Sequence, residues 1–225
     1  MKNTEHPELL KHRHTFASLP GDFSFWHKNR EKYTVWALEI TDSQLEERLK
    51  QARSTLSGFL IEDYNRHPHI TISQCGFLCQ QKKLQDDYDQ TMFWQDVEKL
   101  QQLSEQTIRL QISGLLTSWA IAPFFPALDH MGDLKRFNQL LTRTPDDNYS
   151  FTPHITIGLY ADAWPTTSIY HALTTSAPLP PLNFEIGTIK MFSYHPSLIG
   201  GDLTEEASFN LSDKTLTIHS EILKK

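Results

Sequence analysis

The hydrophobic pattern of the chain switches period several times, and each switch marks an element. YTVWALEI, Tyr33 to Ile40, is rich in β-branched and aromatic residues and predicts a strand. Thr41-Asp42-Ser43 is a helix N-cap signal, and apolar residues then recur at Leu45, Leu49, Ala52 and Leu56 with helical spacing. HPHITIS, residues 67–73, alternates as a strand does. A second helical pattern runs from about Thr91 to Leu103, and TIRLQISGL and SWAIAPFF follow as strands. The pattern then predicts a helix from about Leu128 to Thr142, a strand FTPHITIGLY over 151–160, and a short helix opened by Pro165 and ending near Thr175. After the break at LPPLN, NFEIGTIKMFSY and ASFNLSDKTLTIH read as strands.

The strands are short and often polar on one face. That favours antiparallel sheets, open to water on one side and covered by helices on the other, in an α+β fold. Residues 1–32 form a polar, His-rich extension. Its turn signal Leu19-Pro20-Gly21-Asp22 and its aromatic residues Phe23, Phe25 and Trp26 predict that part of it docks on a single unit spanning 33–225.

Composition narrows the classes. In a chain of 225 residues, 39% apolar and 21% charged residues suffice for a sizeable core. A net charge of -6 argues against a binder of long nucleic acid, which needs a basic surplus, but leaves room for one small anion held by a few donors. Cys75 and Cys79 stand in a C-x-x-x-C pair without zinc or thioredoxin spacing, which points to a reduced compartment. No apolar run approaches the roughly 20 residues of a membrane span, and MKNTEHPELLKHRHTF lacks the apolar stretch of a signal peptide. The expectation is a cytoplasmic protein with no membrane partner. His6, His12, His14 and His27 lack a cysteine or carboxylate framework, so no metal site and no cofactor are expected there.

One feature carries chemistry. Pro68-His69-Ile70-Thr71-Ile72 recurs letter for letter as Pro153-His154-Ile155-Thr156-Ile157, 85 positions later. Chance would yield such a repeat in about one chain in a hundred of this length, so a duplicated lobe is the natural reading. Because side chains alternate along a strand, Pro68, Ile70 and Ile72 share one face while His67, His69, Thr71 and Ser73 share the other. In the second copy Ile155 and Ile157 are core, and Thr152, His154, Thr156, Gly158 and Tyr160 form the polar wall. Two such walls facing each other place two imidazoles and two hydroxyls in one cleft. One imidazole can accept a proton while the other donates one near neutral pH. The threonines can hold the nonbridging oxygens of a phosphate. In-line attack at phosphorus needs a base on the entering side and an acid on the leaving side, and a histidine pair supplies both without a metal.

H-Φ-[ST]-Φ twice, separated by some 80 to 90 residues, resembles the 2H phosphoesterase superfamily, which includes 2′-5′ RNA ligase-like proteins and cyclic nucleotide phosphodiesterases. The matching residues are His69, Thr71, His154 and Thr156, and the resemblance spans Tyr33 to about His219. It implies a bilobal fold with pseudo-two-fold symmetry, each lobe giving one H-x-T strand to a central cleft. It also implies metal-independent chemistry on cyclic phosphates, 2′-5′ linkages or related nucleotide esters. The acidic net charge favours a small nucleotide or an RNA end as substrate. An extension of 32 residues is longer than a compact member would carry.

Lesser signals surround the motif. Arg66 is a candidate phosphate partner by position, and His67 is expected at the cleft rim. Trp36, Trp119, Phe124, Tyr160 and Tyr194 are candidates for base stacking, Tyr160 the best placed by strand parity. Tyr194 and His195 open a loop whose Gly200-Gly201 pair suits either close approach to a phosphate or a plain hairpin connection. Cys75 is expected as a buried thiol, with Gly76 breaking or bulging the strand. Nucleotide-binding, nucleophile-elbow and zinc-protease motifs are absent from the sequence. A phosphodiesterase is the first reading; a sensor or sponge retaining a nucleotide or RNA end in the same cleft is the second. Pattern alone leaves open which histidine is the base, and it leaves the oligomeric state unknown.

Overall fold

The computed structural model describes residues 7–19, 21, 23–143 and 150–225. Along the chain run α1 (Pro7–Leu10), α2 (Ser24–His27), β1 (Tyr33–Glu39), α3 (Ser43–Thr55), β2 (His69–Cys79), β3 (Asp87–Asp89) and α4 (Gln90–Gln101). Then come β4 (Ile108–Ile112), β5 (Thr117–Ser118), β6 (Pro123–Leu128), α5 (Asp133–Leu141), β7 (His154–Thr156) and α6 (Thr166–Thr175). The last four are β8 (Leu182–Ile186), β9 (Thr188–Tyr194), β10 (Thr204–Asn210) and β11 (Leu216–Ile218). Two sheets result. One has six strands in the order β11-β10-β9-β1-β2-β3; the other has the order β5-β6-β4-β8, with β7 paired to β6. All pairings are antiparallel except β2 with β3, so the fold is α+β, as the pattern predicts.

The helices tie the two sheets together. Asp42 caps α3, its carboxylate accepting from Leu45 N at 2.9 Å, a contact worth about 1 kcal/mol. Leu45, Leu49 and Ala52 bury the face that the spacing marks out. Although α3 follows β1, its arginines bind elements of the other lobe. Arg48 donates to the carbonyls of Ser113 and Pro180, and Arg53 Nε donates to Ile157 O at 2.9 Å. The six-stranded sheet takes its cover from later helices. Asn138 of α5 donates to Ile72 O at 2.7 Å, and Asp96 of α4 is fully buried between Tyr88, Trp36 and Arg143. One apolar core cluster therefore runs through residues of both sheets and α3 to α6.

Several elements depart from the pattern. NFEIGTIKMFSY is two strands: the chain leaves the second sheet after β8, turns at Gly187 and enters the first sheet as β9. β2 outruns its predicted end at Ser73. It passes a bulge and Gly76, where a φ of +124° and a would-be Cβ only 2.4 Å from Asp86 O exclude a side chain. The predicted strand over 151–160 shrinks to His154–Thr156.

The extension straddles both lobes. Thr15 N donates to Trp164 O, Phe16 N to Ala120 O and Ser18 N to Tyr160 O, each at 2.8 Å, and Leu9 is fully buried. Further on, Trp26 packs against Tyr33 and Phe77 of the six-stranded sheet. Arg30 lies 3.6 Å from the Phe77 ring centroid and pairs with Asp86 and Asp87. Pro20 and Asp22 of the turn signal, and His6, lie outside the described residues. His12 and His14 sit by Phe16 and Pro165, while His27 Nε2 lies 3.2 Å from Ser197 Oγ, so these histidines do not gather.

Candidate active site

The two repeats fold alike. Each histidine opens its strand, and each Nδ1 lies in hydrogen-bond reach of the carbonyl two residues earlier: His67 O at 2.8 Å for His69, Thr152 O at 2.7 Å for His154. A carbonyl can only accept, so both rings carry the Nδ1 proton, and in the neutral ring Nε2 holds a free lone pair. The intervening prolines are anchored in parallel fashion, Pro68 O accepting from Ile40 N and Pro153 O from Ala127 N. Ile70, Ile72, Ile155 and Ile157 are buried, while His69, Thr71, His154 and Thr156 are half-buried on the other side. β2 and β7 pack against each other.

Burial sets the charge state of the pair. It pushes His69 down to about 4, and the Arg66, His67 and His154 charges push the same way, against the bond to His67 O. His154 is also lowered by burial, with its bond to Thr152 O opposing. Both imidazoles are thus neutral at pH 7 in the free protein. The consequence for stability has a definite sign. Between about pH 6.5 and 4 the unfolded chain holds the His69 proton and the folded chain does not, so stability falls as pH falls through that window. Urea denaturation at pH 7 and pH 5 should show His69→Gln losing less stability than the wild type, by up to about 2 kcal/mol. Equal losses would mean that the folded protein does not hold His69 neutral.

Around the pair the structure gathers some of the candidate residues and removes others. The Arg66 guanidinium lies 4.3 Å from the Tyr194 ring centroid, and its charge opposes the burial that raises the Tyr194 pKa, while its Nε is buried without a partner among the described residues. His67 is partly exposed, its ring 6.1 Å from that of His69. It packs 4.9 Å from the Phe192 ring, with Nε2 3.4 Å from the Glu39 carboxylate, which Lys190 holds at 2.6 Å. Trp119 stacks on Phe124 at 3.9 Å and meets the His154 ring edge-on at 4.7 Å.

Three expectations are corrected. Trp36 is fully buried on the helix side, stacked on Phe93 with its indole N–H toward Asp96, and so cannot stack on a ligand. Tyr160 is also fully buried, its hydroxyl 2.6 Å from Ser118 Oγ. Strand parity fails there because β7 ends at Thr156, and beyond it the backbone bonds to residues 59–61. Ser73 leaves the polar wall because the register shift between Trp36 and Ala37 turns it toward Thr142 of the helix layer. Of the remaining candidates, His195 is exposed in the β9–β10 connection, where Nδ1 accepts from Ser197 N. Cys75 lies half-buried on the helix side of the bulge, its thiol pushed up by burial.

The sequence gives no sign of Tyr64. Half-buried, it has Thr156 close enough to act against the burial that raises its pKa, and Arg53 lies over its ring at 5.7 Å. Gly200 packs against this segment: its φ of +68° favours glycine, and a Cβ there would lie only 3.1 Å from Asp63 O and Tyr64 Cδ2. That close approach to protein backbone answers the question posed by the Gly pair.

Two lobes that bring one H-x-T strand each to a shared site define the 2H phosphoesterase class. More narrowly, the sequence profile of the 2′-5′ RNA ligase superfamily matches residues 41–197, and the chain belongs to that superfamily. No curated protein sequence matches it significantly. Among solved structures, E. coli LigT complexed with 3′-AMP is 12% identical and superposes with a TM-score of 0.53, covering 81% of this chain and 99% of LigT. LigT complexed with ATP gives 0.51 and with NADP+ 0.50, at the same identity and coverage. At that identity the likeness is one of fold.

Proposed function

We propose that this protein is a metal-independent phosphodiesterase that opens a cyclic phosphate or cuts a 2′-5′ linkage on a small nucleotide or RNA end. The observation that carries the proposal is the matched pair of Nδ1–H···O=C bonds on two packed strands, which leave both Nε2 atoms free to serve as an acid-base pair. The asymmetry around the pair supports a division of labour. His69, beside the Arg66 cation, is the harder to protonate and acts as base; His154, against Trp119 and Phe124, carries the proton and acts as acid. The incoming phosphate anion supplies the charge that favours imidazolium at His154.

Water attacks phosphorus as His69 Nε2 takes its proton. The P–O bond to the leaving ribose oxygen breaks as His154 Nε2–H protonates that oxygen. A cyclic phosphate plus water becomes a phosphate monoester; His69 has gained the proton that water lost, His154 has given one to the leaving oxygen, and exchange with solvent restores both rings. Thr71 and Thr156 donate to the nonbridging oxygens as charge builds on them. Small nucleotides as substrates are in keeping with the net charge of -6 and with the 3′-AMP, ATP and NADP+ bound to LigT.

The test is a product assay with EDTA present, on 2′,3′-cyclic mononucleotides and on 2′-5′ and 3′-5′ dinucleotides. Turnover of a cyclic or 2′-5′ substrate is expected, and the product isomer identifies the bond broken. Tight binding without any product would replace the enzyme with a nucleotide sensor.

A further inference from the structure

A cavity of about 440 Å³ opens against Arg66, three residues before His69, and its walls come from two sources. Ala17, Ser18, Leu19, Phe23 and Trp26 belong to the extension. Arg66, Tyr194, Leu198 and Gly200 belong to the lobes and the β9–β10 connection, with Ile121 and Leu159 closing the far side. The matched superfamily span begins at residue 41, so the extension's share of the wall lies outside it.

Three features say what the cavity holds. First, exposed large apolar side chains converge on it: Leu19, Ile121 and Leu198 are each more than half exposed, an arrangement that water disfavours and an apolar ligand would cover. Second, the lining carries a cation with a donor to spare. Arg66 Nε is buried without a partner among the described residues, and the guanidinium sits 4.3 Å from the Tyr194 ring centroid. Third, Arg66 belongs to the cavity and to the catalytic pair alike, since its charge acts on His69. A ligand here is therefore flat, largely apolar on its faces, bears a hydrogen-bond acceptor, and is joined to a group that reaches the histidines. The volume lies within the usual range of small-molecule sites.

We infer that this cavity is the nucleobase pocket of the substrate, and that the N-terminal extension builds one of its walls. This rests on the nucleotide phosphodiesterase reading above and deepens it. The extension is then a specificity element: it bridges both lobes, and its hydrogen bonds at Thr15, Phe16 and Ser18 hold the wall in place without a ligand.

The pocket is tested apart from the chemistry by probes that lack one half of the substrate. Purine and pyrimidine nucleosides, which have no phosphate, and inorganic phosphate, which has no base, are titrated calorimetrically. The proteins compared are wild type, Phe23→Ala and the double variant Leu19→Ser/Leu198→Ser, each checked for fold by thermal unfolding. Phe23→Ala tests the extension alone; the double variant tests the extension and the β9–β10 connection together. At least one nucleoside is expected to bind wild type and to bind both variants at least tenfold more weakly, while inorganic phosphate binds all three alike. Phosphate binding with no nucleoside binding would overturn the base pocket and leave the phosphodiesterase standing. Nucleoside binding unchanged in the variants would place the base elsewhere and overturn it too. Nucleoside binding that weakens as expected, without turnover of any phosphodiester by wild type, would sustain the pocket and remove the enzyme.

Discussion

His69→Ala and His154→Ala are each expected to lower kcat by about 10³- to 10⁴-fold, and the double variant is expected to be scarcely worse than either. The two rings act as a unit: a proton taken at one is balanced by a proton given at the other, so losing either stops the transfer. Folding should survive both changes. Each ring is half-buried at the first residue of its strand and bonds only to a carbonyl two residues away, while the apolar anchors of the strands are Ile70, Ile72, Ile155 and Ile157. His69 is moreover held down to about 4 by its burial, so removing it takes away a desolvated group. The pH dependence separates the roles. For wild type, kcat/KM should be bell-shaped and lie on the acid side of neutrality, because the active form needs His69 unprotonated and His154 protonated, and both groups are lowered. Residual activity of His69→Ala should lose the acid limb and that of His154→Ala the alkaline limb. The reverse pattern would exchange base and acid; full rates in both single variants would remove the histidine mechanism.

How far the sequence reaches is clearest at this site. A five-residue repeat locates both histidines, and strand parity puts their imidazoles and hydroxyls opposite the isoleucines, because alternation holds for as long as the strand lasts. The same rule misleads at Tyr160, four residues beyond the end of β7, and at Ser73, beyond a register shift in β2. Periodicity measures a run of residues and is blind to where the hydrogen-bond partner changes. The run 183–194 shows the same blindness at larger scale: one apolar-polar alternation serves two sheets, and only the turn at Gly187 separates them. The α+β class was legible because it follows from half-polar strands and amphipathic helices. The placement of α3 against the second lobe was not, since it depends on long-range bonds from Arg48 and Arg53 to backbone carbonyls. Trp36 illustrates the same limit: an aromatic ring in a central strand looks alike whether it faces the cleft or, as here, the buried carboxylate of Asp96. Tyr64 and the cavity behind Arg66 arise from three chain segments meeting, a relation that no single stretch of sequence encodes.

The hydroxyl pair gives the second large effect. Thr71→Val and Thr156→Val keep the shape of each side chain and remove one donor, and each is expected to lower kcat by about 10²-fold with little change in KM. The reason for that split is that the donors matter most when negative charge gathers on the nonbridging oxygens, which happens in the transition state. The two sites are not equivalent, however. Thr156 neighbours Tyr64, against which Gly200 packs with no room for a Cβ, whereas no such hydroxyl neighbours Thr71 among the described residues. Tyr64 therefore orients the Thr156 hydroxyl, and Tyr64→Phe should reduce kcat by a smaller factor of its own. A double-mutant cycle reads the coupling directly: Thr156→Val combined with Tyr64→Phe should cost less than the two effects added, while Thr71→Val combined with Tyr64→Phe should be additive. If both threonine variants kept the full kcat, the hydroxyls would serve only to make the strands half polar, and phosphate stabilisation would fall to Arg66 and the histidines. If the cycle were additive at Thr156 as well, Tyr64 would act on the substrate itself, because a residue working through the Thr156 hydroxyl has nothing left to orient once that hydroxyl is gone.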